Sequence, residues 1–230
     1  MAKHSFFVTG TDTGVGKTLV SAAILHAANA RGLRTLAMKP VASGCEETPE
    51  GLRNEDALML QAAMSESVSY EQINPIALAP AIAPHVAAAQ AGRTLTAQRL
   101  VGFCRGLQMQ PADLFLVEGA GGWRVPLNDN ETYARFAVEL ALPVILVVPL
   151  KLGCINHALL SSEAIHADGL KVAGWVANRP EQAVMSAESD TLSYLQRHLP
   201  APCLGVLPWQ QEPDPAKLAA LLDVSPLIEN

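Results

Sequence analysis

The segment Gly10-Thr-Asp-Thr-Gly-Val-Gly-Lys-Thr18 carries the residue types that a phosphate group needs. Gly14 and Gly16, with Val15 between them, let a backbone wrap closely around phosphate oxygens. Lys17 supplies a point charge for outer phosphates, and the Thr18 hydroxyl is a ligand suited to Mg2+. The strict phosphate-loop pattern has four residues between its first glycine and Gly-Lys-Thr. Here Thr11 holds that first position and Gly10 lies one residue early, so the loop is a variant. A glycine-rich turn with a chance lysine is the bland alternative. Against it stand the apolar residues Phe6, Phe7 and Val8 before the loop and the helical pattern beginning at Leu19 after it.

A second chemical segment is Leu114-Phe-Leu-Val-Glu-Gly-Ala-Gly-Gly122, an apolar run of strand length that ends in an acid and a glycine cluster. It has the form of a Walker B strand, with Glu118 where an Asp usually stands and Gly119, Ala120 and Gly121 behind it. Such a carboxylate binds Mg2+ directly or through water; a buried strand followed by a glycine turn is the plainer reading. Asp56, in a helix start at Asn54-Glu-Asp56, is either ordinary helix-end electrostatics or a further carboxylate for Mg2+. Lys39 closes a strand and opens Lys-Pro-Val-Ala-Ser-Gly44, in which Pro40 stiffens the exit and Ser43 offers a hydroxyl. It reads as a solvated strand-end charge or as a cation in a ligand crevice. Gly153, Cys154, Ile155 and Asn156 open a helix without an internal lysine, a second anion seat that suits a carboxylate. Asn178, before Arg179-Pro180, offers a donor and an acceptor to a purine edge, or serves a routine turn.

The elements that must position these groups alternate. Strand signals precede the phosphate loop and recur at 34–38, Leu114–Val117, Val144–Val148, Val172–Val176 and Pro202–Leu207. Helical patterns cover 17–31, closed by Gly32, then Ala57–Ala63, Ala87–Ala91, Thr96–Leu107, Gly153 to about Asp168, and Ala216–Leu222. Cys45–Asn54 reads as a loop, and Pro75, Pro80 and Pro84 break up Asn74–Val86. Alternation of this kind predicts an α/β fold with a mostly parallel sheet. At 230 residues with half of them apolar, we expect one domain over 1–230, a sheet with helices on both faces.

The formal charge of -6 gives no basic footprint for nucleic acid or an anionic membrane surface, which leaves small molecules as the expected ligands. Cys45, Cys104, Cys154 and Cys203 are scattered without metal-ligand spacing and read as reduced thiols. Met1 to Ser5 runs directly into a strand with no room for a signal peptide. The longest apolar stretch, Val138–Leu150, is interrupted by Glu139 and Pro143 and is too short to span a bilayer. A cytoplasmic protein is the expectation.

Taken in order, the variant loop, Lys-Pro-Val-Ala-Ser-Gly, Asn54–Asp56, Val-Glu-Gly-Ala-Gly-Gly, Lys151-Leu-Gly-Cys-Ile-Asn-His157 and Val176-Ala-Asn178 resemble the dethiobiotin synthetase family. The resemblance runs from Phe7 to about Trp209 and is weakest over 60–112 and at the C-terminus. It implies a P-loop NTPase-like fold and a homodimer. The implied reaction is ATP- and Mg2+-dependent carboxylation of 7,8-diaminononanoate with CO2, closing to dethiobiotin with release of ADP and phosphate. In that family one amine captures CO2 as a carbamate, whose oxygen attacks the γ-phosphate, and the second amine then closes the cyclic urea.

By the same resemblance, Lys17 and the loop N–H groups through Leu19 hold phosphates, and Thr18, Asp56 and Glu118 organise Mg2+. Lys39 sits over the carbamate and the transferred phosphoryl group, with Thr13 and Ser43 bonding the reacting end of the substrate. Gly119, Ala120 and Gly121 border the nucleotide, and Asn178 with Arg179 reads adenine, assisted by Pro208, Trp209 and Gln210. The Gly153–Asn156 turn resembles a carboxylate seat that serves the neighbouring subunit's substrate. Two positions depart from the family pattern: Gly14 stands where some members carry an acid, and Arg179 where an Asp is frequent. The rival reading is a switch ATPase of the partitioning or cell-division type, but Asp12 stands where those proteins carry a signature lysine. The amidating synthases of cobalamin synthesis need a glutaminase domain, which this length excludes unless it is a separate chain.

Overall fold

Runs that are apolar at nearly every position, rather than at alternate ones, belong to a sheet covered on both faces. Val144–Pro149 and Leu114–Gly119 are buried throughout in the computed structural model, which describes residues 4–229. Met1–Lys3, where the N-terminal reading begins, and Asn230 lie outside the described residues.

In chain order, His4–Gly10 (β1) leads through the glycine loop into Lys17–Asn29 (α1), and Thr35–Met38 (β2) is followed by the short strands Val41–Ser43 (β3), Glu46–Thr48 (β4) and Gly51–Arg53 (β5). Next come Glu55–Ala63 (α2), Tyr70–Ile73 (α3), Ile76–Leu78 (β6), Pro84–Gln90 (α4) and Ala97–Gln108 (α5). The second half runs Leu114–Gly122 (β7), Tyr133–Leu140 (α6), Val144–Pro149 (β8), Cys154–Ala167 (α7), Val172–Asn178 (β9), Glu188–His198 (α8) and Cys203–Leu207 (β10). Pro215–Leu218 (α9), a 3-10 turn at Ala219–Leu221 and Ser225–Ile228 (α10) close the chain.

Six strands form one parallel sheet in the order β10-β9-β8-β1-β7-β2, as the alternating signals predict. The step from β1 to β2 moves toward one edge, and every later step moves toward the other. Right-handed crossovers therefore set α1 on one face and α5 to α8 on the opposite face. The packing agrees, with α1 against α2 and α9, α5 against α6, and α7 against α8. Loops leaving β1 and β7 consequently diverge to opposite faces, and a crevice opens at the carboxyl ends of these adjacent strands.

Several expectations change in detail. Cys45–Asn54 contains the antiparallel β4–β5 hairpin rather than an irregular loop. The strand expected at Val144–Val148 forms as β8, while α6, which the sequence reading did not place, runs up to Ala141, whose left-handed conformation (φ 55°) ends it. The tail helix expected over Ala216–Leu222 is split between α9 and the 3-10 turn, with Asp214 Oδ1 accepting from the Ala216 and Lys217 N–H groups at 3.0 and 3.3 Å. In the core, Phe7 meets Phe136 and Trp123 edge-on, at centroid distances of 5.7 and 6.1 Å.

Leu116 is fully buried in β7, between β1 and β2. Leu116→Ala is expected to cost about 2–5 kcal/mol through lost burial and the cavity left behind. A urea titration checks this as a lower midpoint with an unchanged slope.

Candidate active site

Three features of the backbone shape the phosphate loop. Gly14 (φ +72°) and Gly16 (φ +87°) take left-handed conformations that side chains resist, and Gly16 caps the start of α1. A Cβ on Gly16 would also strike the side-chain amide of Asn178. That amide donates from Nδ2 to the Val15 carbonyl at 2.9 Å, so the end of β9 clamps the loop that follows β1. Val15 itself is buried in the core. Lys17, also buried, donates to the Asp12 carbonyl at 3.2 Å, and Asp12 Oδ1 accepts from the Thr13 N–H at 2.7 Å. Burial, and then the neighbouring Lys39 charge, lower the Lys17 pKa to about 8.

The second part of the site follows from strand register. Met38 of β2 pairs with Val117 of β7, so the next residues, Lys39 and Glu118, stand side by side. Lys39 Nζ lies 2.6 Å from Glu118 Oε1 and 2.8 Å from Asp56 Oδ2, and Glu118 Oε1 also accepts from Thr18 Oγ1 at 2.8 Å. Lys39 is 5% exposed and Glu118 1%, so neither charge has water to fall back on. Burial by itself lowers the Lys39 pKa, but the charges of Glu118 and Asp56 outweigh it and hold the ammonium well above its ordinary value. Burial likewise pushes Asp56 up, while Lys39 more than reverses this and leaves its carboxyl below the usual range.

The elements meet around a cavity of about 760 Å³. Thr13, Gly14, Gly16, Lys17, Thr18 and Leu19 line it from the loop and α1. Lys39, Ser43 and Asp56 line it from the β2 end, and Ala120 and Gly121 from the β7 end. Gly121 is left-handed (φ +62°), and a Cβ there would lie 2.6 Å from Val125 and 3.3 Å from Thr13 Oγ1. Glu118 reaches the cavity through Thr18 and Lys39, and Gly119 packs on the Phe7 ring.

Other expected residues lie apart from this lining. Asn178 joins through Val15, and its Oδ1 is buried without a hydrogen-bond partner among the described residues. The Arg179 guanidinium is held by both carboxylate oxygens of the buried Glu188, while the Arg179 backbone N–H donates to the Leu207 carbonyl at 3.0 Å. Pro208, Trp209 and Gln210 follow β10, which neighbours β9, and are half-buried. Gly153, Cys154, Ile155 and Asn156 do not line the cavity; they open α7, with Gly153 left-handed (φ +94°) and Cys154 buried. Farther along, α7 lines a second cavity of about 480 Å³ with Thr11 to Thr13 and Gly122 to Val125.

The Thr18 hydroxyl and the Asp56 and Glu118 carboxylates are hard oxygen donors of the kind Mg2+ takes. Glu118 Oε2 is buried and has no hydrogen-bond partner among the described residues, so it is an acceptor in search of a cation. The residues fit. Sequence reasoning missed Tyr70 and Asn74, both buried, although Asn74 bonds the Lys39 carbonyl at 2.7 Å. Asn before Pro75 signals only a turn, and nothing local marks its distant partner.

Comparison with known proteins follows the same line. The family described as AAA domain matches residues 4–217. An ATP-dependent dethiobiotin synthetase BioD from Marinobacter nauticus is 73% identical over 234 residues, covering 100% of both chains. A protein of the same name from Cellvibrio japonicus is 56% identical over 229 residues, again covering 100% of both. Among solved structures, the chain is similar to the ParA family ATPase from Chlorobium tepidum TLS, with a TM-score of 0.57 and 12% identity over 97% of this chain and 92% of that one. It is also similar to the septum site-determining protein MinD from Pyrococcus horikoshii OT3, with a TM-score of 0.54 and 17% identity over 98% and 90%. Identities this low speak for the fold alone.

The pKa of Lys17 bears on binding. Its ammonium loses its proton as pH rises through about 8, whereas a bound polyphosphate favours the charged form. Polyphosphate or nucleotide binding near pH 8.5 is therefore expected to take up protons. Calorimetry in two buffers of different ionisation heat measures the uptake, and Lys17→Arg, which stays charged, should abolish it.

Proposed function

The chain belongs to the ATP-dependent dethiobiotin synthetase family, and from that premise we infer how its cavity performs the reaction. The protein forms dethiobiotin at the expense of ATP in biotin biosynthesis. The observation that carries the residue assignment is the buried Thr18–Glu118–Lys39–Asp56 cluster beside the phosphate loop.

In the reaction, one amine of 7,8-diaminononanoate bonds to the carbon of CO2 and loses a proton, giving a carbamate. A carbamate oxygen then bonds to the γ-phosphorus of ATP as ADP leaves. The second amine bonds to the carbamate carbon and loses a proton, the C–O bond to the phosphorylated oxygen breaks with its electron pair leaving on phosphate, and the urea ring is closed. Each step gathers anions, so fixed positive charge is the main help a protein can give. Lys39, kept protonated by its two carboxylates, is suited to hold the carbamate and phosphoryl oxygens and unsuited to act as a base. Thr13 and Ser43, across the same cavity, orient the reacting amine end. Lys17 and the loop N–H groups take the phosphates.

Thr18, Asp56 and Glu118 would hold Mg2+, which when bound offsets phosphate charge. The buried acceptor Oδ1 of Asn178 suits the amino group of adenine, and the backbone at Arg179 and Pro208–Gln210 borders the same base. We extend the proposal to a homodimer in which the Gly153–Asn156 turn receives the carboxylate of the neighbouring subunit's substrate. Leu152 and Leu160, 93% and 56% exposed on the same stretch, support an interface there. Dependence on free ATP argues for the cytoplasm, and no helix among the described residues is long and apolar enough to cross a membrane.

Purified protein with MgATP, bicarbonate and 7,8-diaminononanoate is expected to release ADP and dethiobiotin in equal amounts. ATP hydrolysis independent of the diamine, with no dethiobiotin, would overturn this and favour a switch ATPase. Lys39→Ala leaves Glu118 buried without its partner and should lower the thermal midpoint; in protein that remains folded kcat should fall by about 10²-fold or more, and near-normal turnover returns Lys39 to a plain strand-end charge. Sedimentation at twice the 24.4 kDa chain mass checks the dimer.

A further inference from the structure

Lys39 lies where the β2–β7 ladder stops, because the next residue, Pro40, has no N–H to continue it. Its backbone is held from another side. The Lys39 N–H donates to the Ile73 carbonyl at 2.9 Å, and its carbonyl accepts from Asn74 Nδ2 at 2.7 Å. The Asn74 side chain is itself fixed, since its Oδ1 accepts from the Tyr70 hydroxyl at 3.2 Å. That hydroxyl also accepts from the Asn54 N–H at 2.8 Å, which uses it as donor and acceptor at once. Asn54 caps α2, whose second residue is Asp56. The circuit closes where Asp56 Oδ2 meets Lys39 Nζ at 2.8 Å.

We propose that Tyr70 and Asn74 are positioning residues for the reaction, a buried relay that sets the root of Lys39 against the cap of α2 and so fixes the ammonium relative to Asp56. This rests on the role inferred above for Lys39. Asn74 is 3% and Tyr70 7% exposed, so the relay works without competition from water. The Arg53 guanidinium lies over the Tyr70 ring, 4.2 Å from its centroid, and clamps the ring from outside while pairing with Glu71 at 3.2 Å. A lysine side chain has a long, flexible stem, and anchoring its backbone by both N–H and C=O limits where its tip can reach. Asn74 makes no hydrogen bond to Thr18 or Glu118; its shortest bond to the site is the one to the Lys39 carbonyl, and the relay's further bonds, from Asn74 Nδ2 to the Ile76 carbonyl and from Asn54 Nδ2 to the Ser43 carbonyl, are longer at 3.4 Å each.

Two substitutions test the relay with little change in shape. Asn74→Asp keeps the acceptor for Tyr70 but removes the amide that holds the Lys39 carbonyl. Tyr70→Phe keeps the ring under Arg53 and removes only the hydroxyl. Because small misplacements at a reacting centre are costly, kcat should fall about tenfold or more in Asn74→Asp and about three- to tenfold in Tyr70→Phe. Both variants leave a buried polar group unpaired, so the thermal midpoint should fall; assayed below that midpoint, KM for ATP and ADP affinity by calorimetry should stay near wild type, and the double variant should lose no more kcat than the worse single one. If Asn74→Asp does not fold, Tyr70→Phe decides alone. Normal kcat in a folded variant overturns the proposal, as does a loss of ADP affinity in step with kcat, which marks a merely structural role. Wild-type protein that makes no dethiobiotin, or Lys39→Ala with full turnover, sinks the functional reading itself and this inference with it.

Discussion

The buried contact between Lys39 and Glu118 is the constraint on which the site depends. Neither charge is tolerable alone at this depth, since an uncompensated buried ion costs several kcal/mol of the order that keeps a domain folded. Paired, they tie β2 to β7 at their carboxyl ends, and Thr18 and Asp56 complete the shell from α1 and α2. The charges of Lys17 and Lys39 then balance those of Asp56 and Glu118 within one cavity wall. A polyphosphate entering such a balanced site brings negative charge that the loop N–H groups and the two lysines, already paired with carboxylates, offset only in part. A divalent cation of the kind proposed above would make up the difference, and Glu118 Oε2 has no hydrogen-bond partner among the described residues.

The sheet supplies the geometry that the pair needs. Crossovers from β1 and β7 leave on opposite faces, and the crevice between the two strand ends is where the loop glycines, Lys39 and the β7 glycine cluster converge. The same architecture occurs in the ParA and MinD structures at low identity. In this chain the side chains that line the cavity stand just past the strand ends, in keeping with the rule that function is carried by sites grafted onto a shared fold.

Backbone conformation sharpens the site further. Gly16 leaves room for Asn178 to grip the loop, and Gly121 leaves room for Val125 beside Thr13. On the far side, Asp168 accepts from Trp123 Nε1 at 2.7 Å and from Arg124 Nη2 at 3.1 Å, and so ties the turn after β7 to the end of α7. The loops that line the cavity are thus held by contacts from the ends of β7, β9 and α7 as well as by bonds within the phosphate loop itself.

The amino-acid sequence by itself determined the local parts: the phosphate loop, the acid after an apolar run, the strand-end lysine and the alternation that makes a parallel sheet. These are legible because glycine φ angles, helix starts and continuous apolar runs are set by residues adjacent in the chain. It also carried the set of motifs that led to the family. Only the tertiary structure decided which charges touch. Lys39 and Glu118 are 79 residues apart, and their contact depends on the β2–β7 register, which no local pattern states. The same holds for Asn74 beneath Lys39 and for Glu188 on Arg179. Each of these depends on partners brought together by strand pairing and burial, and such long-range choices are made by the packing of the whole core.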